Sequence, residues 1–418
     1  MNKQHINRRD LIKMMAAASA VGTIGRLWPS WMPRIAFAND GVQGDVLVCI
    51  FLRGGADALN MIVPFGDENY YRARPLLAFG RPDDRGGEKA IELTDFFGLN
   101  PDMRPFHELF LARHLVAIHA VGSPNAPRSH FEAMDMIERG VDNAASISSG
   151  WLGRHLMSTT GQNDSPLRAL GWGENLQKSL HGYISANALQ SIADFHLTGD
   201  RQLATEMSAA LSMMYQNGTS LDNAAQSTLD ALEIVRNINV DQYRPSHGAS
   251  YEDNDFGRAL KQTAALIKAD AGLEVACIDQ GNYDTHVAQG RTEGLLSGLV
   301  SSLSKNLRAF HDDLLDYMHR VTVVVMSEFG RRVQENGGGG TDHGHGGAMY
   351  VMSGNLDISS PVIAEWPGLN DNFLENGDLS ITTDYRDILG EILIKRTPKT
   401  DLSVVFPNHS YRPLGIIK

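Results

Sequence analysis

Only two cysteines occur in the 418 residues, Cys49 and Cys277, too few for a disulfide framework to organise a chain of this length. Neither stands in a C-x-x-C or C-x-x-C-H pattern, and no Gly-x-Gly-x-x-Gly joins a strand-like run to a helix. These absences speak against iron–sulfur, c-type haem and nicotinamide cofactors. Long apolar runs are missing as well. The one near the start, residues 14–24, is shorter than the about 20 residues that a spanning helix needs, and none later comes close. Positive charge is in deficit: 37 Lys and Arg against 49 Asp and Glu leave a net charge of −12. Nucleic acid and anionic membrane surfaces are therefore poor partners, and no stable membrane insertion is expected. Internal repeats and low-complexity tracts are absent apart from the glycines 337–340, which sets repeat architectures aside.

What is present begins with an export pattern. Asn7-Arg8-Arg9-Asp10-Leu11-Ile12-Lys13 precedes the short apolar segment, and Ala36-Phe37-Ala38 supplies a small-x-small cleavage site. Residues 1–38 read as a twin-arginine signal peptide, cut near Ala38. The mature protein is expected to start near Asn39, to be soluble and periplasmic or otherwise exported, and to meet the twin-arginine translocase in transit. No Cys follows the cleavage point, so lipid anchoring has no support. Removing six basic residues and one acidic residue moves the net charge from −12 to −17. A small anionic substrate then has to be drawn in by metal ions and local arginines.

Residues 39–418 read as a single α/β domain. Apolar, β-branched runs at 45–51, 114–121, 274–278, 321–326 and 348–352 are strands. Between the third and fourth, Leu296, Leu299, Leu303, Leu307, Phe310, Leu314 and Met318 recur at three and four, marking a long amphipathic helix and hence a right-handed parallel crossover. Residues 105–112 are helical, and 383–394 form a terminal helix with Thr382 or Thr383 available as cap. Residues from about 153 to 270 carry few strand runs and are assigned to a mostly helical insertion. Cys49 and Cys277 lie inside apolar runs and read as buried free thiols, with a bridge open to them if their strands are neighbours.

The chemistry gathers at strand ends, where open α/β sheets bind ligands. Ser327, Glu328, Arg331 and Arg332 emerge from the run at 321–326; the four glycines follow, then Asp342, His343 and His345. The run at 274–278 leads to Asp279 and then Asp284, Thr285 and His286. Imidazole and carboxylate delivered by two strand ends suit a divalent metal, though Asp284 can equally cap the next helix and His286 be a satisfied surface histidine. Glu328 is a ligand or a partner of Arg331 or Arg332. Arg53 and Asp57 follow the first strand across Gly54 and Gly55, as anion clamp and ligand or as an ion pair over a glycine turn. Ser129 opens a helix after the second strand. Its hydroxyl is either a nucleophile at a helix amino end or the cap of the S-x-x-E box it forms with Glu132.

The segments FLRGGADALNMIVPF, RSHFEAMDMIERG, GWLGR, NYDTH, SEFGRR and GTDHGHGG, in that order after a twin-arginine signal, resemble the bacterial exported proteins of the domain of unknown function 1501 family over nearly the whole mature chain. That family resembles a distant branch of the alkaline phosphatase and sulfatase superfamily. The resemblance implies an alkaline-phosphatase-like, parallel-rich sheet flanked by helices, with divalent metal at the carboxyl strand ends. It implies Asp284, His286 and His343 or His345 as ligands, Glu328 in place of the usual Asp-His pair, Asp57 as the match to a first-strand Asp, and Ser129 at the nucleophile position. No Cys stands there, so the formylglycine chemistry of sulfatases is not expected.

Two functions follow as expectations. The first is an exported metal-dependent hydrolase of a phosphate or sulfate ester. In it Asp57, Asp284, His286, Glu328, Asp342, His343 and His345 are candidate ligands for zinc, calcium or magnesium; Arg53 and Arg331 steady the anion, and Ser129 or water attacks. The second is a non-catalytic periplasmic binding or scaffold protein that keeps the same fold.

Overall fold

The segment Val46–Leu52 is buried along its whole length, because VLVCIFL offers an apolar side chain at every position and so can be covered on both faces. In the computed structural model, which describes residues 44–125, 127–143, 147–159, 163, 165–182, 186–192, 201–216, 218–238 and 242–418, this strand, β1, lies inside a nine-stranded sheet. The other strands in chain order are β2 (Leu115–Gly122), β3 (Ala169–Trp172), β4 (Ala186–Leu189), β5 (Val275–Gln280), β6 (Val321–Ser327), β7 (Gly347–Ser353), β8 (Val362–Ile363) and β9 (Thr383–Asp384). Their order is β8-β2-β7-β6-β1-β5-β3-β4, with β9 also on β2. All pairings are parallel except those of β7, which runs antiparallel to both β6 and β2. The expected α/β, parallel-rich sheet is therefore present, with one reversed strand inside it.

Strand alternation divides the core. Val46, Val48, Ile50 and Leu52 join one apolar cluster with helices α1 (Arg104–Leu111), α4 (Asp255–Lys268) and α5 (Leu295–Asp313). Leu47, Cys49 and Phe51 point the other way, to α2 (His130–Arg139), α3 (Trp151–Ser158) and α6 (Tyr385–Arg396). The helix expected from the leucine spacing is α5, and it links β5 to β6 across β1. A small sheet of Ile62–Val63, Gly98–Leu99 and Ile91–Glu92 lies apart from the large one.

Two expectations change, and that of buried free thiols holds. Within the stretch expected to be a helical insertion, β3 and β4 belong to the main sheet, since β3 pairs with β5; short strands such as ALGW carry too little pattern to be seen alone. The terminal helix is capped by Asp384, which accepts from the Arg386 amide, rather than by Thr382 or Thr383. Cys49 and Cys277 face each other across β1 and β5, and both are buried and free. Residues 201–216 and 218–226 belong to a second, helical unit, in which the Gln226 amide donates to the Ser212 and Tyr215 carbonyls. The expected signal peptide, with Arg8, Arg9 and the cleavage site at Ala38, lies outside the described residues. Among the described residues no helix is long and apolar enough to cross a membrane.

Candidate metal centre

β1, β5 and β6 are adjacent and parallel, so their carboxyl ends open onto one edge. Three loops meet there: Arg53–Gly54–Gly55 after β1, Tyr283–Asp284 after β5, and Glu328 onward after β6. Gly54 has φ +121°, and a Cβ on it would collide with the Asp284 backbone nitrogen; a Cβ on Gly340 would collide with the Thr285 and His286 carbonyls. The glycine motifs of the sequence thus permit close approach of the loops.

The loops and the amino end of α2 bring four donors together. His130 Nε2, His286 Nε2 and His343 Nε2 lie 3.3, 3.1 and 3.2 Å from Asp284 Oδ1. The ligating atoms of His130, Asp284 and His343 all lie within 4.8 Å of one another, and His286 Nε2 is 3.0 Å from His343 Nε2.

The opposite nitrogen of each ring decides what those Nε2 atoms can do. His130 Nδ1 is 2.8 Å from Glu328 Oε1, His286 Nδ1 2.9 Å from Asp342 Oδ1, and His343 Nδ1 2.9 Å from the Arg128 carbonyl. A carboxylate and a carbonyl only accept, so in the neutral rings the proton sits on Nδ1 and each Nε2 presents a lone pair. Lone pairs at 3.0 Å repel unless a cation lies among them, and His130 Nε2 is buried without a hydrogen-bond partner. The donor set of three imidazoles and one carboxylate, each ring held from behind, fits a divalent metal ion.

The surroundings favour the charged forms of these groups. Partial burial pushes the Asp284 carboxyl up, but the hydrogen bond and charge of Arg331, together with His286 and His343, hold it at about 2. Burial likewise opposes ionisation of Glu328, yet hydrogen bonds from His130, Ser327 and the Gly54 amide leave its pKa lowered. His130 is raised, chiefly by its hydrogen bond to Glu328.

Several expected site residues have other work. Asp57 is fully buried and paired with Arg74 at 2.6 Å, away from the clustered donors. Glu328 and Asp342 orient His130 and His286 from behind. His345 is spent elsewhere, with Nδ1 2.5 Å from Glu375 Oε2 and Nε2 3.2 Å from the Ser123 carbonyl. Arg331 is buried: its guanidinium donates to the Gly55, Gly54, Tyr283 and Thr341 carbonyls and to Asp284 Oδ1, so it binds the loops together and has no face left for a substrate. Arg53 is neutralised by Glu138 at 2.5 Å and Asp279 at 2.9 Å, so it is no free anion clamp. Ser129 occupies the N-cap of α2, but its hydroxyl makes no cap hydrogen bond, so the S-x-x-E box is not formed.

His130 went unseen in the sequence because one histidine beside a serine carries no spacing signal. Its position at a helix start after β2, on the same edge as the other donors, is the mark that could have found it.

A family model described as "Protein of unknown function (DUF1501)" matches residues 114–401. The chain belongs to this family. No curated protein matches the DUF1501 chain. Among solved structures it is similar to a protein in the alkaline phosphatase superfamily from Vibrio parahaemolyticus, at 12% identity and a TM-score of 0.36, over 78% of this chain and 63% of that one. It thus spans less than two thirds of that protein's length. The alkaline phosphatase from the Antarctic bacterium TAB5 is similar at 9% identity and a TM-score of 0.31, over 86% of this chain and 100% of that one.

Proposed function

We propose that this DUF1501 protein is an exported, metal-dependent hydrolase of a phosphate or sulfate ester. The observation that carries the reading is the convergence of three imidazole Nε2 atoms on Asp284 Oδ1, each ring fixed through Nδ1. His130, Asp284, His286 and His343 would hold the ion. A divalent ion there supplies Lewis acidity toward an ester oxygen.

Ser129 directly precedes His130, and its half-buried hydroxyl is uncommitted to the helix cap. The amino end of α2 favours an anion through its free amides and dipole. In this reading Ser129 Oγ forms a bond to phosphorus or sulfur, and the ester oxygen leaves with the electron pair of the broken bond. The serine proton passes to that departing alkoxide, and water later cleaves the new ester and restores the hydroxyl. The reading includes export by the twin-arginine route, from Arg8 and Arg9.

A second reading, a non-catalytic exported protein holding one metal, draws on the internal pairing of Arg53 and Arg331. Turnover of a panel of aryl phosphate and sulfate esters by metal-loaded mature protein separates the two. Activity lost in Ser129→Ala supports the hydrolase; metal binding with no turnover of any ester in the panel supports the scaffold.

A further inference from the structure

Behind the donors, five fully buried side chains form one run of hydrogen bonds: Arg74, Asp57, Gln289, Thr285 and Thr341. Arg74 Nη1 donates to Asp57 Oδ2 at 2.6 Å, and the same oxygen accepts from Gln289 Nε2 at 2.5 Å. On its other side Gln289 Oε1 accepts from Thr285 Oγ1 at 2.9 Å and from Thr341 Oγ1 at 2.8 Å. Asp57 Oδ2 accepts from the Arg74 guanidinium and from Gln289 alike, so the NH2 of Gln289 faces it. The amide oxygen is thereby turned to the threonines, and both hydroxyls donate to that one atom.

Thr285 stands between Asp284 and His286, and Thr341 immediately before Asp342 and two residues before His343. The two loops also touch directly, the Thr341 amide donating to the Thr285 carbonyl at 3.2 Å. We propose that Gln289 is a positioning residue for the metal centre: through Thr285 and Thr341 it locks the 284–286 and 341–343 loops in mutual register, with its own orientation set by Asp57. This gives the glycine-bounded Asp57 motif a role that does not involve touching the metal. The inference rests on the metal-centre reading.

The decisive measurement is Zn²⁺ affinity, by competition with a chromophoric chelator, alongside thermal unfolding of the metal-free mature protein. Thr285→Val and Thr341→Val each remove one hydroxyl and are expected to weaken Zn²⁺ binding about 10-fold, and Gln289→Leu about 100-fold. Thr285→Ser and Thr341→Ser keep the donor and should bind as wild type. A purely structural network would lower the unfolding temperature of the metal-free variants and leave Zn²⁺ affinity at the wild-type value; that result overturns the proposal. Should Gln289→Leu fail to fold, the two threonine variants carry the test. Wild-type protein that takes up no Zn²⁺, Mn²⁺ or Ca²⁺ overturns the metal centre itself, and is distinguishable because wild type then fails before any variant is compared.

Discussion

Glu328 Oε1 lies 2.8 Å from His130 Nδ1, joining the end of β6 to the first residue of α2 across 198 positions of chain. The same oxygen accepts from the Gly54 amide at 2.8 Å, so one buried carboxylate ties the loops after β1 and β6 to one imidazole. Such acceptors orient a metal-binding histidine and raise its basicity.

Glu328→Gln keeps the shape and an acceptor but removes the charge. Zn²⁺ affinity is expected to fall roughly 10- to 100-fold, and the pKa of His130, raised mainly by Glu328, should drop. Chelator competition and histidine NMR titration read the two effects; wild-type values in both would show that Glu328 does not act through His130.

Ser129→Ala should abolish ester turnover while shifting stability by no more than about 0.5 kcal/mol, the size of an ordinary surface change, because no cap bond is lost. Persistent turnover would transfer the attack to water. A loss near the ~1 kcal/mol of a true N-cap would show that the hydroxyl does cap α2.

Removal of the metal should lower stability by mass action, by about 2.7 kcal/mol when free ion stands at roughly 100 times its dissociation constant. His343→Ala should abolish that difference between loaded and chelator-treated protein. Elemental analysis of protein prepared without chelators supplies the companion reading, and less than about a tenth of an equivalent of any divalent metal would count against the centre.

Two histidines outside the donor set impose an acid limit. His119, at 0% exposure, and His155 are both pushed down to about 4, chiefly by burial. Their unfolded value is about 6.5, so between these limits the unfolded chain binds more protons than the folded one. Their contribution is therefore complete above about pH 6.5 and is lost as pH falls toward 4, on the order of 3 kcal/mol for each residue. Urea unfolding of His155→Leu from pH 7 to 4 should fall less steeply than that of wild type; parallel curves would refute the assignment.

Replacing Arg8 and Arg9 together by Lys should leave the precursor in the cytoplasm. Cell fractionation with immunodetection checks this, and unchanged accumulation outside the cytoplasm would mean that another route carries it.

The strand pattern was determined by the sequence alone. VLVCIFL and VTVVVM are apolar at nearly every position, which only a strand covered on both faces can accommodate, and the long helix between β5 and β6 follows from leucines at helical spacing. So was the placement of Asp284, His286 and His343 at one edge, since parallel strands put all their carboxyl ends on the same side. Tertiary structure decided the rest. Whether Arg331 meets solvent or four loop carbonyls, and whether Asp57 meets a metal or Arg74, depends on the depth at which each loop crosses its neighbours, which no local pattern encodes. His130 joins the donors only because α2 packs beside β6, and Glu328 can hold it only from there. Hydrogen bonds reach about 3 Å, so membership of the site is fixed by distances between segments that are remote in sequence, and those distances exist only once the sheet is assembled.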